Sequence, residues 1–336
     1  MARVLVAALL AMVIAIIVGP TFIAFLRRNE FGQHIREEGP AHHFSKQGTP
    51  TMGGLLIVIA AAIAFLPLSD YTLPALTVFG TTLACAGVGF LDDYLKLRHR
   101  RSLGLRGRWK IVLLTAITAA VGLAAHHQGL SHEVYVPIAD FAIPLGPAWY
   151  VLLFLIIAGA VNGVNLTDGL DGLAAGTSII ALATLTAMAV TIFIRSGPPR
   201  IQNRLDVAFI GAALIGAAIG FLWFNAFPAE VFMGDTGAMA LGGAIAAMAI
   251  MMKVELLLLF VGAIFAINAV SVILQVVSFK YWGRRIFLIA PLQHHFEMKA
   301  WSETKIMVRF WIVTAIFCAA GFALFYKYFL GFRGHA

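Results

Sequence analysis

The stretch "GVGFLDDYLKLRHRRSLGLRGRWK", residues 87–110, contains the pattern that decides the fold. An apolar run ends at two adjacent carboxylates, Asp92 and Asp93, and a cluster of cations follows within a few residues. Acids at the C-terminal end of a helix oppose its macrodipole, so structural capping does not explain this pair. Ionisable groups at the edge of an apolar segment are candidates for a functional site.

The composition indicates an all-α integral membrane protein. Of the 336 residues, 61% are hydrophobic and 12% are charged, with a mean hydropathy of +0.90, whereas soluble domains carry about 25% charged residues. The apolar residues form blocks of about 20, the length at which a helix crosses a bilayer. We predict one membrane domain over residues 1–336 with about ten transmembrane helices, at roughly 4–26, 53–68, 73–91, 110–126, 147–164, 173–194, 206–223, 237–254, 256–278 and 306–330.

Cations are concentrated in alternate loops between these helices. One set of loops contains the cluster at 96–110 and the cations near 27–46 and 280–305, whereas the other contains few. The positive-inside rule places the first set in the cytoplasm and both termini on the periplasmic or outer side. This bias explains most of the net charge of +8 without a nucleic-acid partner. The loop at about 127–146 alternates apolar and polar residues, which predicts a small hairpin.

Glycines four residues apart permit close packing between membrane helices. The pairs Gly159/Gly163 and Gly216/Gly220 have this spacing. Glycine is also frequent in membrane helices that have no such contact, so the spacing leaves both interpretations open.

Five of the sixteen acidic residues gather at the predicted cytoplasmic ends of helices. Besides Asp92 and Asp93, Asp168 and Asp171 lie between the fifth and sixth helices, and Asp235 lies between the seventh and eighth. Hard oxygen ligands on one membrane face favour Mg²⁺, which completes its octahedron with waters and substrate phosphates. Asp235 is also suitably placed for an ordinary N-cap.

The segment "VNGVNLTDGLDGLA", residues 161–174, spaces Asn162 and Asn165 three apart, and then Asp168 and Asp171 three apart. Paired asparagines suit hydrogen bonds to a base or sugar, and the aspartates suit a ribose hydroxyl, an amide or the water shell of a cation. The alternative is a pair of Asp-Gly turns that merely connect two helices.

Three further polar segments have two interpretations each. Lys46 in "SKQGTPTMGG", residues 45–54, lies where a backbone could approach phosphate, or simply where a helix begins. The cluster at 96–110 is either the topology signal alone or also a trap for anionic headgroups or a diphosphate. His294 and His295, with Trp301 nearby, form either a substrate-binding lid or a solvated loop.

Six segments, "GTPTMGG", "DDYLK", "NLTDGLDGLA", "GFLWFN", "MGDTG" and "PLQHHFEMKAW", occur in this order along the chain. In this order they resemble the phospho-N-acetylmuramoyl-pentapeptide-transferase family of the polyprenyl-phosphate N-acetylhexosamine-1-phosphate transferase superfamily. The resemblance runs from about residue 46 to 311 and covers nearly the whole predicted inside-facing surface. The predicted topology agrees with that of the family.

The resemblance implies a reaction in the bacterial inner membrane, the first membrane step of peptidoglycan synthesis. Phospho-N-acetylmuramoyl-pentapeptide would pass from its UDP carrier to undecaprenyl phosphate, giving lipid I and UMP, with Mg²⁺ as cofactor. By similarity, the catalytic acids are Asp92, Asp93 and Asp235, and the candidate metal ligands are Asp235 and Asp168. The implied substrate-binding residues are Lys46, Thr51, Lys96, Asn162, Asn165, Asp168, Asp171, Asn225, Gln275, His294 and His295. A homodimer is one option for the assembly.

One position departs from the family pattern. Many members carry three consecutive histidines where this chain has Gln293, His294 and His295. Because glutamine cannot replace a histidine as an acid or base, we assign these residues to binding. Adjacent helical residues point about 100° apart, so Asp92 and Asp93 cannot both face one ligand squarely. The family leaves open whether an aspartate attacks covalently or the lipid phosphate attacks directly. We expect direct attack, because the lipid phosphate is already mostly dianionic at pH 7, with one acid near the metal and the other orienting the lipid phosphate or a lysine.

Two rival functions share some of these features. A sister enzyme that transfers from UDP-N-acetylglucosamine would have the same aspartates, but the last loop resembles the muramoyl-pentapeptide type. A cation-coupled transporter would also carry acids in its membrane helices. Transporter sites usually lie near the midplane within a doubled architecture, whereas these acids lie at one face and no repeat is evident.

Overall fold

The computed structural model describes residues 1–29, 48–99, 104–139, 141–195 and 202–329, and this part of the chain forms twelve α-helices and one β-hairpin. In chain order these are α1 (Ala2–Arg28), α2 (Gly54–Phe65), α3 (Leu73–Arg98), α4 (Gly107–His127), β1 (Glu133–Val136), β2 (Phe141–Pro144), α5 (Ala148–Thr167), α6 (Leu173–Arg195), α7 (Gln202–Asn225), α8 (Gly234–Met251), α9 (Leu258–Val261), α10 (Ala263–Trp282), α11 (Leu292–Glu297) and α12 (Glu303–Leu324). A π-helical turn, Phe325–Phe329, follows α12.

Nine helices of the described ranges are long and apolar enough to cross a bilayer, as expected for an integral membrane protein. The tenth predicted segment, 53–68, forms the shorter helix α2, which has only 12 residues and a length of about 18 Å, against a hydrocarbon core of about 30 Å. α2 nevertheless runs from one end of the bundle to the other, because Gly54 packs against Gly237 at the start of α8, whereas Asp70, just after the helix, pairs with Arg3 at the start of α1. The chain turns at residues 66–68, around Pro67, and α2 packs inside the bundle against α1, α7 and α8.

The predicted helix over 256–278 is wrong in its boundaries. A single turn, α9, ends at Gly262, and α10 begins at Ala263 and continues to Trp282. Glycine has a low helix propensity because its backbone loses the most entropy on folding, which favours a break at this position. Because of this break, the long helix α10 begins and ends several residues later in the chain than predicted, at Ala263 and Trp282.

Helix α8 forms the centre of the bundle, and nearly all of its side chains are buried among α2, α3, α5 and α6. Close approach elsewhere confirms one glycine pair, because a Cβ at Gly216 would lie 1.9 Å from the Ala8 carbonyl oxygen, and one at Gly220 would lie 2.6 Å from Ala15 Cβ. Of the other pair, Gly163 packs against Phe265, but Gly159 faces open space. The closest helix packing is therefore between α1 and α7 and around α8.

The predicted hairpin is confirmed at the end of the bundle where α4 finishes and α5 begins. Its strands pair antiparallel, with Glu133 opposite Pro144 and Val136 opposite Phe141. Lys253, just after α8, donates its ammonium to the carbonyls of Ser131 (2.9 Å) and Glu133 (2.8 Å), and to Glu255 Oε1 (2.7 Å). Through these hydrogen bonds, Lys253 connects the hairpin to the chain just after α8, and Glu255 neutralises its buried charge.

Removal of the Glu255 carboxylate is expected to destabilise this end strongly. Glu255→Ala leaves the Lys253 ammonium buried without its anion, a loss of about 3–5 kcal/mol. Arg3→Ala is the matched control, because the Arg3–Asp70 pair (3.5 Å) is solvent-exposed, and such pairs contribute about 0–1 kcal/mol. Thermal unfolding in detergent should show a clear drop for Glu255→Ala alone, and equal midpoints would contradict a structural role for the pair.

Candidate active site

Three aspartates meet where the C-terminal part of α3 crosses the first turn of α8. A Cβ at Gly89 would lie 2.2 Å from the Asp235 carbonyl oxygen, so only glycine allows α3 to lie this close to α8. One turn later along α3, Asp92 and Asp93 reach the same point. Carboxylate oxygens of Asp92, Asp93 and Asp235 lie within 4.8 Å of one another. The structure therefore brings together the three acids that the sequence predicts as catalytic.

Asp93 is directed at the backbone of α8. Its Oδ1 accepts the Asp235 N–H (3.1 Å), and its Oδ2 accepts both the Thr236 N–H (2.9 Å) and the Thr236 hydroxyl (2.7 Å). Only 3% of Asp93 is exposed. An anion at the start of a helix satisfies unpaired N–H groups and complements the macrodipole. Asp93 thus acts as an N-cap supplied by a neighbouring helix, and it holds Asp235 in place.

Asp92 points instead toward two lysines. Lys96 Nζ lies 2.6 Å from Asp92 Oδ2 and 3.0 Å from Asp235 Oδ1. Lys110 Nζ lies 3.0 Å from Asp92 Oδ1 and 3.2 Å from Asp235 Oδ2. The Leu105 N–H also donates to Asp92 Oδ1, at 2.7 Å. Two ammonium groups therefore bridge the same two carboxylates. Asp93 has only a distant contact with one of them, because Lys96 Nζ lies 4.0 Å from Asp93 Oδ1.

The donor set of this cluster fits a divalent cation. Three carboxylates against two ammonium groups leave one excess negative charge. Asp92 Oδ2 is buried and makes no well-directed hydrogen bond, even though the Lys96 ammonium lies 2.6 Å away. Mg²⁺ prefers such carboxylate oxygens. The two ammonium groups now fill the space between Asp92 and Asp235, so a cation bound between these acids displaces at least one of them.

The turn between α5 and α6 adds a second group of acids beside the first. Asp168 lies near Asp235, Asp93 and Asp171, and the Gly234 N–H approaches its carboxylate. Burial, together with the negative charges of these three acids, raises the pKa of Asp168 to about 8. A divalent cation reverses such an effect because it favours the ionised form. The Asn165 side chain approaches Asp235, so the spaced Asn/Asp motif faces the cluster.

Asp171 and Asn225 shape this turn from within. Asp171 Oδ2 accepts the Ala229 N–H (3.0 Å). The Asn225 amide accepts the Gly172 N–H (3.1 Å) and donates to the Val231 carbonyl (2.9 Å). Both side chains are buried, and they join the α5–α6 turn to the α7–α8 loop.

The last loop reaches the same turn through α11. A Cβ at Gly169 would lie 2.6 Å from His294 Nε2, so the imidazole is seated directly on the turn. His294 Nδ1 contacts the buried carboxylate of Glu297, which fixes the orientation of the ring. His295 Nδ1 accepts the Leu288 N–H at 3.1 Å, and burial and the charge of Lys299 lower the pKa of His295. His294 thus presents Nε2 to the site, whereas His295 supports the loop.

The remaining predicted residues are distributed unevenly. Thr51 is buried, and its hydroxyl lies beside Gly234, 2.9 Å from where a Cβ would be. Gln275 binds the backbone of Ile286 and Phe287 with both ends of its amide, so it secures the last loop. Asn162 is exposed and donates to the Ala158 carbonyl of its own helix. Lys46 lies outside the described residues.

Three residues of the site escape the sequence-based prediction. Lys110 is hidden in a basic cluster that the positive-inside rule already explains, and only the approach of α4 to α3 reveals its role. Thr236 belongs to the quoted "MGDTG" segment, in which the hydroxyl beside Asp235 is a usable signal. Glu297 follows His294 at the i, i+3 spacing that lets two side chains of one helix meet.

Comparisons with known proteins show which sequences this chain resembles. The family model described as glycosyl transferase family 4 matches residues 75–253, a range that contains all three clustered aspartates. The model described as phospho-N-acetylmuramoyl-pentapeptide-transferase signature 1 matches residues 46–58.

Curated relatives named phospho-N-acetylmuramoyl-pentapeptide-transferase align over almost the entire chain. The protein from Halalkalibacterium halodurans is 44% identical over 313 residues, covering 92% of this chain and 93% of the relative. That from Rubrobacter xylanophilus is 43% identical over 333 residues, covering 97% and 98%. That from Bacillus subtilis is 41% identical over 317 residues, covering 93% and 95%. With this identity over more than nine-tenths of its length, the chain belongs to the phospho-N-acetylmuramoyl-pentapeptide-transferase family.

Proposed function

We propose that this protein transfers phospho-N-acetylmuramoyl-pentapeptide from its UDP carrier to undecaprenyl phosphate, forming lipid I and UMP. One observation carries the proposal: Asp92, Asp93 and Asp235 converge with Lys96 and Lys110 at one end of an apolar helical bundle. Alternating cations and carboxylates at the end of a bundle suit a reaction between a water-soluble phosphate donor and a lipid phosphate. The names of the relatives support this choice of substrates.

The site lies at the cytoplasmic face of the bacterial inner membrane in this proposal, and both termini lie on the opposite side. The positive-inside rule supports this orientation, because Lys96 and Lys110 belong to the most basic loop of the chain. A cytoplasmic site also matches a nucleotide-linked donor, which is made in the cytoplasm.

The protein's own residues lower the barrier mainly by neutralising charge. A phosphate monoester has a second pKa near 6 and is mostly dianionic at pH 7, so the acceptor needs little help from a general base. The main obstacle is the approach of two anions, which Lys96 and Lys110 relieve while Asp92 holds both ammonium groups. Asp93 keeps Asp235 fixed through the start of α8. The lipid phosphate then attacks directly, in line with the departing UMP.

Mg²⁺ at Asp235, with Asp168 beside it, is part of the proposal. When bound, it withdraws charge from the diphosphate and aligns it. We also assign to the nucleotide-sugar site the polar residues that the sequence predicts, which are Lys46, Thr51, Lys96, Asn162, Asn165, Asp168, Asp171, Asn225, Gln275, His294 and His295. Among these, Asn225 and Gln275 act through the loops that they hold.

Release of UMP from purified protein with undecaprenyl phosphate and Mg²⁺ tests the function. UDP-N-acetylmuramoyl-pentapeptide should support release, UDP-N-acetylglucosamine should not, and Asp235→Ala should lose about 10³-fold or more of the rate. Release with N-acetylglucosamine alone would keep the chemistry but replace the substrate. Folded protein that acts on neither donor would favour the transporter.

Loss of Lys110 is expected to cost about 10²-fold in kcat, because a preorganised cation beside the developing charge disappears. Lys110→Met keeps much of the side-chain volume but removes the ammonium that bridges Asp92 and Asp235. Arg108→Met is the matched control, since Arg108 is an exposed cation two residues earlier on the same helix. Equal effects of the two changes would show that the general charge of the loop matters and the bridging position does not.

A metal site at Asp235 and Asp168 should bind Mn²⁺ as a spectroscopic substitute for Mg²⁺. Electron paramagnetic resonance should show bound Mn²⁺ in the wild type, and much weaker binding in Asp235→Asn, which keeps the side-chain shape. Asp206→Asn is the control, because Asp206 is a buried aspartate bound to Ser69 and Thr72 away from the cluster. Unchanged Mn²⁺ binding in Asp235→Asn would mean that other residues bind the metal.

A further inference from the structure

Trp301, which follows the last loop, carries two cations against its indole ring. Lys305 Nζ lies 4.8 Å from the ring centroid, and the Arg309 guanidinium carbon lies 4.3 Å from it. Phe296 stacks on the same indole, with centroids 4.6 Å apart and planes 23° from parallel. Lys305 and Arg309 are exposed, and in the described part of the chain neither forms an ion pair with a carboxylate.

The macrodipole of α12 does not account for these cations. Lys305 lies in the first turn of α12, which begins at Glu303, and Arg309 lies in the second turn. The N-terminal end of a helix carries partial positive charge, so a cation in the first turn is disfavoured, and the effect falls off beyond that turn. The macrodipole therefore stabilises neither Lys305 nor Arg309. A guanidinium stacked on an aromatic ring still has its in-plane N–H groups free, and these suit a carboxylate.

The cluster of Trp301, Lys305 and Arg309 lies next to the proposed sugar site. His294, in the same short helix as Phe296, is seated on Gly169 in the α5–α6 turn. Met307, between the two cations, approaches the other end of that turn, because a Cβ at Gly172 would lie 3.1 Å from its Sδ. Five extended residues span up to about 17 Å, so a peptide on a sugar beside the turn could reach Trp301.

We propose that Lys305 and Arg309, held on Trp301, form a subsite for the carboxylates of the peptide carried by the donor. This inference rests on the proposed function, because it names the part of that donor which this surface recognises. A peptide ends in a carboxylate several residues away from the sugar. UDP-N-acetylglucosamine has no carboxylate, and the lactyl carboxylate of peptide-free UDP-N-acetylmuramic acid lies directly on the sugar, without the peptide that would extend to Trp301. The subsite therefore selects the peptide-bearing donor and leaves the shared nucleotide-sugar chemistry to the aspartate cluster.

A comparison of two donors and two proteins isolates the subsite. UMP release is measured with UDP-N-acetylmuramoyl-pentapeptide and with peptide-free UDP-N-acetylmuramic acid, using the wild type and the Lys305→Gln/Arg309→Gln variant. The variant should raise KM for the pentapeptide donor about tenfold, the loss expected for one charge-assisted contact. Its kcat should change little. KM for the peptide-free donor should be unaffected, so the coupling between protein and peptide is measured directly.

Lys280→Gln is the matched control, because Lys280 also lies over an aromatic ring, that of Tyr281 (5.7 Å), outside the cluster. It should leave both KM values unchanged. Equal increases in KM for the two donors in the double variant would overturn the subsite, as would no increase for either. Dissociation constants from calorimetry without lipid acceptor give the same comparison. A wild type that binds both donors but releases no UMP would disprove the proposed function while still deciding the subsite.

Discussion

The capping of α8 by Asp93 is the interaction on which the site depends. The first turn of a helix has N–H groups without intrahelical partners, and inside an apolar bundle water cannot satisfy them cheaply. Asp93 supplies the acceptors from α3 by binding the Asp235 and Thr236 N–H groups. The contact needs a close crossing of the two helices, which Gly89 permits. The position of Asp235 is therefore set by helix packing, and a loop does not have to hold it.

Because the aspartates of the site are buried, each of their charges has to be stabilised by nearby donors or cations. Asp92 and Asp93 are 1% and 3% exposed, and isolated carboxylates at such depth are strongly disfavoured. Asp93 is stabilised by neutral donors, whereas Asp92 relies on two ammonium groups that it shares with Asp235. A shared pair of cations is easier to rearrange than a set of backbone hydrogen bonds. We therefore propose that the metal and the substrate phosphate bind on the Asp92–Asp235 side, where the ion pairs can rearrange, and that Asp93 keeps its backbone contacts.

Sequence reasoning predicted the parts that depend on local chemistry. Apolar length identified the long helices, and the alternating loop at 127–146 identified the hairpin. The roles that we expect for Asp92 and Asp93, one near a metal and the other orienting a phosphate or a lysine, stay predictions. The break at Gly262 was missed because both sides of it are equally apolar. Lys110 was missed because the positive-inside rule already explains the basic cluster at 96–110, so no signal in the sequence separates the lysine of the site from the cations that set the topology. Asn225 and Gln275 turned out to bind backbone groups of the loops around the site, a relation between distant segments that spacing does not reveal.

Gln293 stands where many family members have a histidine, so the question is whether the reaction needs an acid or base at this position. Gln293 is fully buried, its amide donates to the Leu166 carbonyl (2.8 Å), and its Oε1 has no hydrogen-bond partner among the described residues. A side chain bound in this way supports the end of α5, and an amide cannot transfer a proton at neutral pH. His294 is the neighbour that faces the turn, with Glu297 fixing its ring. Because the lipid phosphate is already mostly dianionic at pH 7, we propose that the reaction in this protein does not need a histidine base at position 293.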